Sequence, residues 1–215
     1  FKVGSFKYKM TDYIREKKEI HSGWAYHIGL LLHQYEMLCK TNGINKNKSL
    51  EVTLLISLLQ SLLTNWKENY DFNKDELTTL SKQGIEVWGI EKRMILKDTF
   101  SKKGITPCIG VCFEHLRHSL SHPLGTNEEI EKPFTGFSTN KCDDDLINSV
   151  VFKHSPDIRK TIDKLKLTSR IFVLELPISV LRGITIRLSS ELSRSLKENG
   201  IYKRTIEEYF KNFKI

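Results

Sequence analysis

The sequence predicts an all-α fold, a helical bundle that carries a small antiparallel β appendage. Apolar residues recur at three- and four-residue spacing through 22–41 and again through 49–70. A third long periodic run fills 179–198. Only three short apolar runs, at 134–139, 147–153 and 170–176, have the length and bounding residues of strands.

Residues 1–21 read as a basic N-terminal arm, with Phe1, Phe6, Tyr8 and Tyr13 among lysines. Such a mixture can stack bases, but packing on the domain explains it as well. The single domain then covers 22–215, with the β appendage around 133–177. The first helix spans 22–41, with Trp24, Ile28, Leu31, Leu32, Tyr35 and Leu38 turned inward, and Asn42-Gly43 stops it. Ser49 is placed to cap the second helix, whose stripe is Leu55, Leu58, Leu59, Leu62, Leu63 and Trp66. Asn73 with Glu76 resembles a capping box for a short helix to Lys82. The stretch 84–103 is ambiguous, with a helical turn near Glu91. Thr106 as cap and Pro107 at the first position open a further helix, which Pro123 ends. Residues 124–145 are polar; their Asp143-Asp144-Asp145 run suits a solvated turn better than a cation site. The strands then lead to the long helix at 179–198, stopped by Asn199-Gly200. Thr205 caps a last short one.

The chain has 215 residues, enough for one domain, and 39% hydrophobic content can fill a core. Lys and Arg outnumber Asp and Glu by 34 to 26, a net charge of +8. That excess favours an anionic partner such as nucleic acid over a plain basic surface. The four cysteines make no CxxC pair, and the longest apolar run, 52–63, is too short and too interrupted to span a bilayer. These features lead to the expectation of a cytoplasmic protein with reduced thiols. No Walker, GxSxG or GxGxxG pattern occurs.

The chemistry is concentrated at Leu116-Arg117-His118-Ser119-Leu120-Ser121-His122-Pro123. Arginine is always charged and forks onto phosphate oxygens. Histidine moves protons near neutral pH. Five residues of helix rise about 7.5 Å and turn about 500°, so Arg117 and His122 do not share one strict face. Pro123 pushes His122 out of the helical region, which lets it swing toward Arg117. Glu114, His118 and His122 follow at four-residue spacing on one face. The plainer alternative is a charged helix end whose basic side chains meet the last carbonyls. A second alternative is zinc, because Cys108, Cys112, His115, His118 and His122 recur at helical spacing. One helix supplies only two ligands, however, and His21, His27, His33 and His154 form no recognisable pair to complete the set. Arg182, Arg187 and Arg194 could face RNA backbone, though a solvated helix face accounts for them.

The Arg117-x4-His122 spacing, with a polar residue directly after the arginine, resembles the signature of HEPN-superfamily ribonucleases of the plasmid and phage-borne kind. The order of elements downstream is similar over about 22–199. The resemblance implies an all-helical bundle with a small sheet, usually dimeric, and metal-independent cleavage of RNA to 2′,3′-cyclic phosphate and 5′-OH ends. It implies Arg117, His118 and His122 as catalytic residues and Arg117 and His118 as RNA contacts, with no cofactor and no metal. It also implies a homodimer, an antitoxin or inhibitor partner, no membrane, and a role in defence or as a toxin. Two positions depart from the family. His118 stands where Asn is commoner, and Leu124 where toxin members paired with a nucleotidyltransferase antitoxin carry tyrosine. The other reading of the same residues is a catalytically silent HEPN module that binds RNA, a nucleotide or a protein.

Overall fold

The computed structural model describes residues 3–45, 47–69, 74–102, 104–121, 135–141, 146–155 and 170–194. Among these residues the helices are α1 (Val3–Thr41), α2 (Ser49–Asn69), α3 (Lys74–Ser81), α4 (Ile109–Ser121) and α5 (Ile178–Leu192). The strands are β1 (Ile95–Asp98), β2 (Gly136–Lys141), β3 (Ile147–His154) and β4 (Phe172–Pro177), and they form one antiparallel sheet in the order β1-β4-β3-β2. The fold is therefore mixed α/β, which corrects the all-α expectation. The physical reason is that the sheet is no appendage. Val150, Phe152, Phe172, Leu174 and Leu176 belong to the same buried cluster as Leu59 and Leu62 of α2, Phe113 and Leu116 of α4, and Leu181 and Leu188 of α5. Each such side chain contributes roughly 1.5–3 kcal/mol of burial, so the sheet supplies one wall of the core.

α1 begins at Val3, inside the segment expected to be an arm. Its buried face also differs from the expected one. Trp24 is 57% exposed, and Leu31 and Leu38 also face out, while Ala25, Ile28, Leu32 and Cys39 are buried. Small residues select that face. Ser22, Ala25 and Gly29 are all buried, and they admit α5 so closely that the Ser189 hydroxyl donates to the Ala25 carbonyl at 2.7 Å. Larger side chains on this face would hold α5 away. α1 ends as the sequence indicates. Gly43 takes φ 64°, its N–H donates to the Lys40 carbonyl at 3.5 Å, and the Ile44 N–H donates to the Cys39 carbonyl at 2.9 Å. This closes the last carbonyls in a Schellman motif.

The expected stripe of α2 is buried in full. Trp66 from α2 and Trp88 from the turn at Ile85–Trp88 meet the Phe113 ring edge-on, at 5.6 and 5.0 Å. α4 opens at Ile109, later than Thr106-Pro107 predict, because Cys108 first makes a β-bridge to Gly84. Gly110 lets α3 and α4 touch: a Cβ there would lie 2.7 Å from the Ser81 Cβ. The 3-10 turn at Lys92–Met94 falls where a helical turn was expected, and β1 follows it unanticipated.

The sheet register fixes the site. Phe172 of β4 pairs with Asp98 of β1 on one side and with His154 of β3 on the other. Paired residues on neighbouring antiparallel strands point to the same face. Asp98, Phe172 and His154 thus make one row, on the face that α4 covers.

Candidate functional site

The last two turns of α4 lie over this row. His115 is 6% exposed, and its ring stacks on Phe172 at 4.2 Å with 16° between the planes. Phe100 closes on it from another side at 4.6 Å. Its Nδ1 lies 2.6 Å from the Nδ1 of His154. The His154 ring also stacks on His118, at 4.6 Å and 10°. Three imidazoles, two from α4 and one from the end of β3, are therefore joined, with His154 in contact with both His115 and His118.

Arg117 sits beside them, with 25% of its side chain exposed. Its guanidinium reaches the His118 Nε2 at 3.0 Å and donates to Glu114 Oε2 through Nε and Nη2 at 3.2 and 3.1 Å. Lys67 of α2 approaches the other Glu114 oxygen at 2.6 Å. Burial pushes the Glu114 carboxyl up, but the hydrogen bonds and charges of Lys67 and Arg117 outweigh it, and the group titrates below its ordinary range. Two cations around one carboxylate leave a net positive charge next to the imidazoles.

Asp98 stands at the far end of the row. Its Oδ1 accepts the N–H groups of Phe100 and Ser101 at 2.8 and 3.0 Å, and its Oδ2 is buried without a hydrogen-bond partner. Burial pushes its carboxyl up, but the hydrogen bonds from Ser101 and Phe100 and the charge of His115 outweigh it, and the group titrates below its ordinary range. Burial pushes His115 down to about 4, against the pull of Asp98, and with a smaller push from His118. His154 also lies at about 4, lowered by burial and then by His115, His118 and Arg117. Both rings are neutral at pH 7.

No family model, curated protein or solved structure matches this chain.

Of the residues the sequence singled out, Arg117 and His118 come together. His122 lies outside the described residues, as do Pro123, Leu124, Cys142, the Asp143-Asp144-Asp145 run and the segment after Arg194. Among the described residues the zinc stripe does not assemble. Burial pushes the Cys112 thiol up to about 12, so it carries no thiolate. Two imidazole nitrogens on one tetrahedral zinc stand about 3.3 Å apart, wider than the 2.6 Å between His115 and His154. Among the described residues, no group of three or more His, Cys, Asp and Glu side chains is arranged to hold a metal ion.

The arginines of α5, and Arg194 just beyond it, are engaged elsewhere. Arg182 pairs with Glu36 at 2.7 Å, Arg194 pairs with Glu191, and Arg187 donates to the Val87 carbonyl and lies over Trp88. A groove of about 440 Å³ between α1 and α2, lined in part by Ile20, Trp24, Gln60 and Thr64, shares no residue with the α4 cluster. None of the described helices is long and apolar enough to cross a membrane.

Sequence reasoning missed His154 as a member of the site, and Asp98 with it. One signal was present. Along β3, Val150, Phe152 and His154 alternate onto one face, so a histidine ends a strand's apolar row.

Proposed function

We propose that the protein is a metal-independent endoribonuclease of the HEPN kind, cutting RNA to 2′,3′-cyclic phosphate and 5′-OH ends in a defence or toxin setting. The observation that supports this most is the meeting of the Arg117 guanidinium with the His118 imidazole, at the end of α4 and beside Lys67. The scheme asks for an anion holder and a proton carrier within one phosphate's reach, and these two side chains lie 3.0 Å apart. In this scheme Arg117 holds the scissile phosphate and offsets its growing charge. His122 is a general acid or base for the ribose 2′-OH and the leaving 5′-oxygen, and His118 orients the phosphate or shares in proton transfer. No step draws on a metal, so chelation leaves the rate unchanged.

A homodimer belongs to the same proposal. The exposed apolar residues Ile20, Trp24, Leu31 and Leu38 follow one another on α1 at four- and seven-residue spacing, which is the spacing of a helix-pairing seam. A second copy of α1 is the occupant proposed for it. An antitoxin or inhibitor partner is proposed on the resemblance alone.

The silent RNA-binding module is the second reading, and one observation favours it: Glu114 already occupies Arg117 through two hydrogen bonds. Incubation of the purified protein with total RNA between pH 6 and 8, with and without EDTA, separates the two. The enzyme reading expects cleavage in both samples. Tight binding without cleavage supports the module, and cleavage that EDTA abolishes overturns the metal-independent scheme.

A further inference from the structure

We infer that Lys67 of α2 is a phosphate-binding residue of the site, and that the Glu114 carboxylate holds the phosphate's place between Lys67 and Arg117 until RNA displaces it. The inference deepens the ribonuclease reading and rests on it for the identity of the anion, an RNA phosphodiester.

Packing sets the spacing of the charges. Trp66 of α2 and Phe113 of α4 are both buried and meet edge-on at 5.6 Å. Each has a charged residue directly after it in the chain, Lys67 on one helix and Glu114 on the other. The aromatic contact therefore fixes where the two helices present these neighbours. Lys67 lies in the last turn of α2, and Arg117 follows Glu114 by three residues on α4. Two cations from different helices thus converge on one carboxylate. Nζ of Lys67 stands 2.6 Å from Oε1, and Nε and Nη2 of Arg117 stand 3.2 and 3.1 Å from Oε2. The His118 ring borders the same place, 3.0 Å from the guanidinium.

This arrangement suits a phosphodiester. Like a carboxylate, a phosphodiester presents two free oxygens on one centre and carries a single negative charge. A guanidinium forks onto such an anion, and an ammonium adds a compact point charge. Glu114 can also leave. Lys67 is 50% exposed and Glu114 31%, so the carboxylate has a way out to water, and pairs this exposed are worth little net. Glu114 nonetheless competes well, because it is tethered to the helix that carries Arg117 and acts at a high effective concentration. An RNA strand held by further contacts overcomes that competition. The two hydrogen bonds from Arg117 to Glu114 are then the resting state of the site, and Lys67 serves both occupants in turn.

Binding of a short single-stranded DNA tests this, because a strand without 2′-OH groups cannot be cut by the proposed chemistry. Fluorescence anisotropy at several salt concentrations gives its affinity for wild type, Glu114→Gln, and Lys67→Met and Lys67→Arg each made on Glu114→Gln. Methionine keeps the apolar stem and removes the charge. With Glu114 neutralised, any remaining effect of Lys67 comes from the strand and not from the carboxylate. The expected result is tighter binding by Glu114→Gln than by wild type. On that background Lys67→Met weakens binding about fivefold, the upper end for a half-exposed charge pair, and lowers the slope of log affinity on log salt by about one. Lys67→Arg keeps both. Equal affinity and slope for Glu114→Gln with and without Lys67→Met make Lys67 a partner of Glu114 alone and overturn the inference. Equal affinity for wild type and Glu114→Gln overturns the displacement. If the affinities differ as stated and the wild type cuts no RNA, the ribonuclease reading fails and Lys67 stands as a phosphate contact of the silent module.

Discussion

Acidification should unfold this protein earlier than its carboxylates alone dictate. His115 and His154 titrate near 4 in the folded state, against 6.5 for a free histidine. Between those values the unfolded chain binds protons that the folded chain refuses. Stability therefore rises with pH across this window, is fully present above about pH 6.5, and is lost as pH falls toward 4. The groups facing the pair are Asp98 from β1 and Glu114, Arg117 and His118 from α4. One unit of pKa depression is worth about 1.4 kcal/mol. The enclosed His115 could contribute about 3 kcal/mol over the window, and the more exposed His154 less, because water screens its charge. The two rings share one contact and titrate as a pair, so the combined loss from pH 7 to pH 4 is on the order of 3 kcal/mol. Asp98 and Glu114 have lowered values and begin to cost stability only below about pH 4, as they are protonated. Urea melts at pH 7, 6, 5 and 4 measure the slope. The His154→Gln variant should show a shallower one, since it removes one ring and relieves the other. Equal slopes in variant and wild type would refute the reasoning.

Three further outcomes follow from the packing and the charges. Glu114→Gln frees Arg117 and Lys67. It should cost about 1 kcal/mol of stability, the scale of such half-exposed pairs, and tighten RNA binding several-fold in a filter assay. Phe113→Ala, which empties the space between Trp66 and Trp88, should cost about 3–5 kcal/mol in chemical denaturation. Gly110→Ala drives a Cβ against Ser81 and should cost about 1–3 kcal/mol, read from the same melts.

Legibility in the sequence followed the range of the interactions. The α2 stripe could be read because its leucines and Trp66 satisfy helical spacing locally. The end of α1 could be read from Asn42-Gly43. The buried face of α1 could not. Trp24, Leu31 and Leu38 outweigh Ala25 and Gly29 in any apolar count, yet close approach by α5 selects the small residues. β1 was hidden because four residues, Ile95 to Asp98, with a single exposed edge carry almost no alternation. The sheet was underrated for the same reason: its share of the core comes from pairing between distant segments. At the site, Arg117 and His118 are neighbours in the chain and could be named from it. Asp98 and His154 join them only through the register of three strands, which no local pattern encodes.

The proposed ribonuclease cuts RNA with the side chains at the end of α4. Single-turnover cleavage of a labelled RNA in EDTA, by wild type and by Arg117→Ala side by side, tests it most directly. The wild type should give 2′,3′-cyclic phosphate and 5′-OH ends. The variant should give no products, with its stability within about 1–2 kcal/mol of wild type. Equal cleavage by a folded Arg117→Ala variant, or wild-type products with 3′-OH and 5′-phosphate ends, would contradict it.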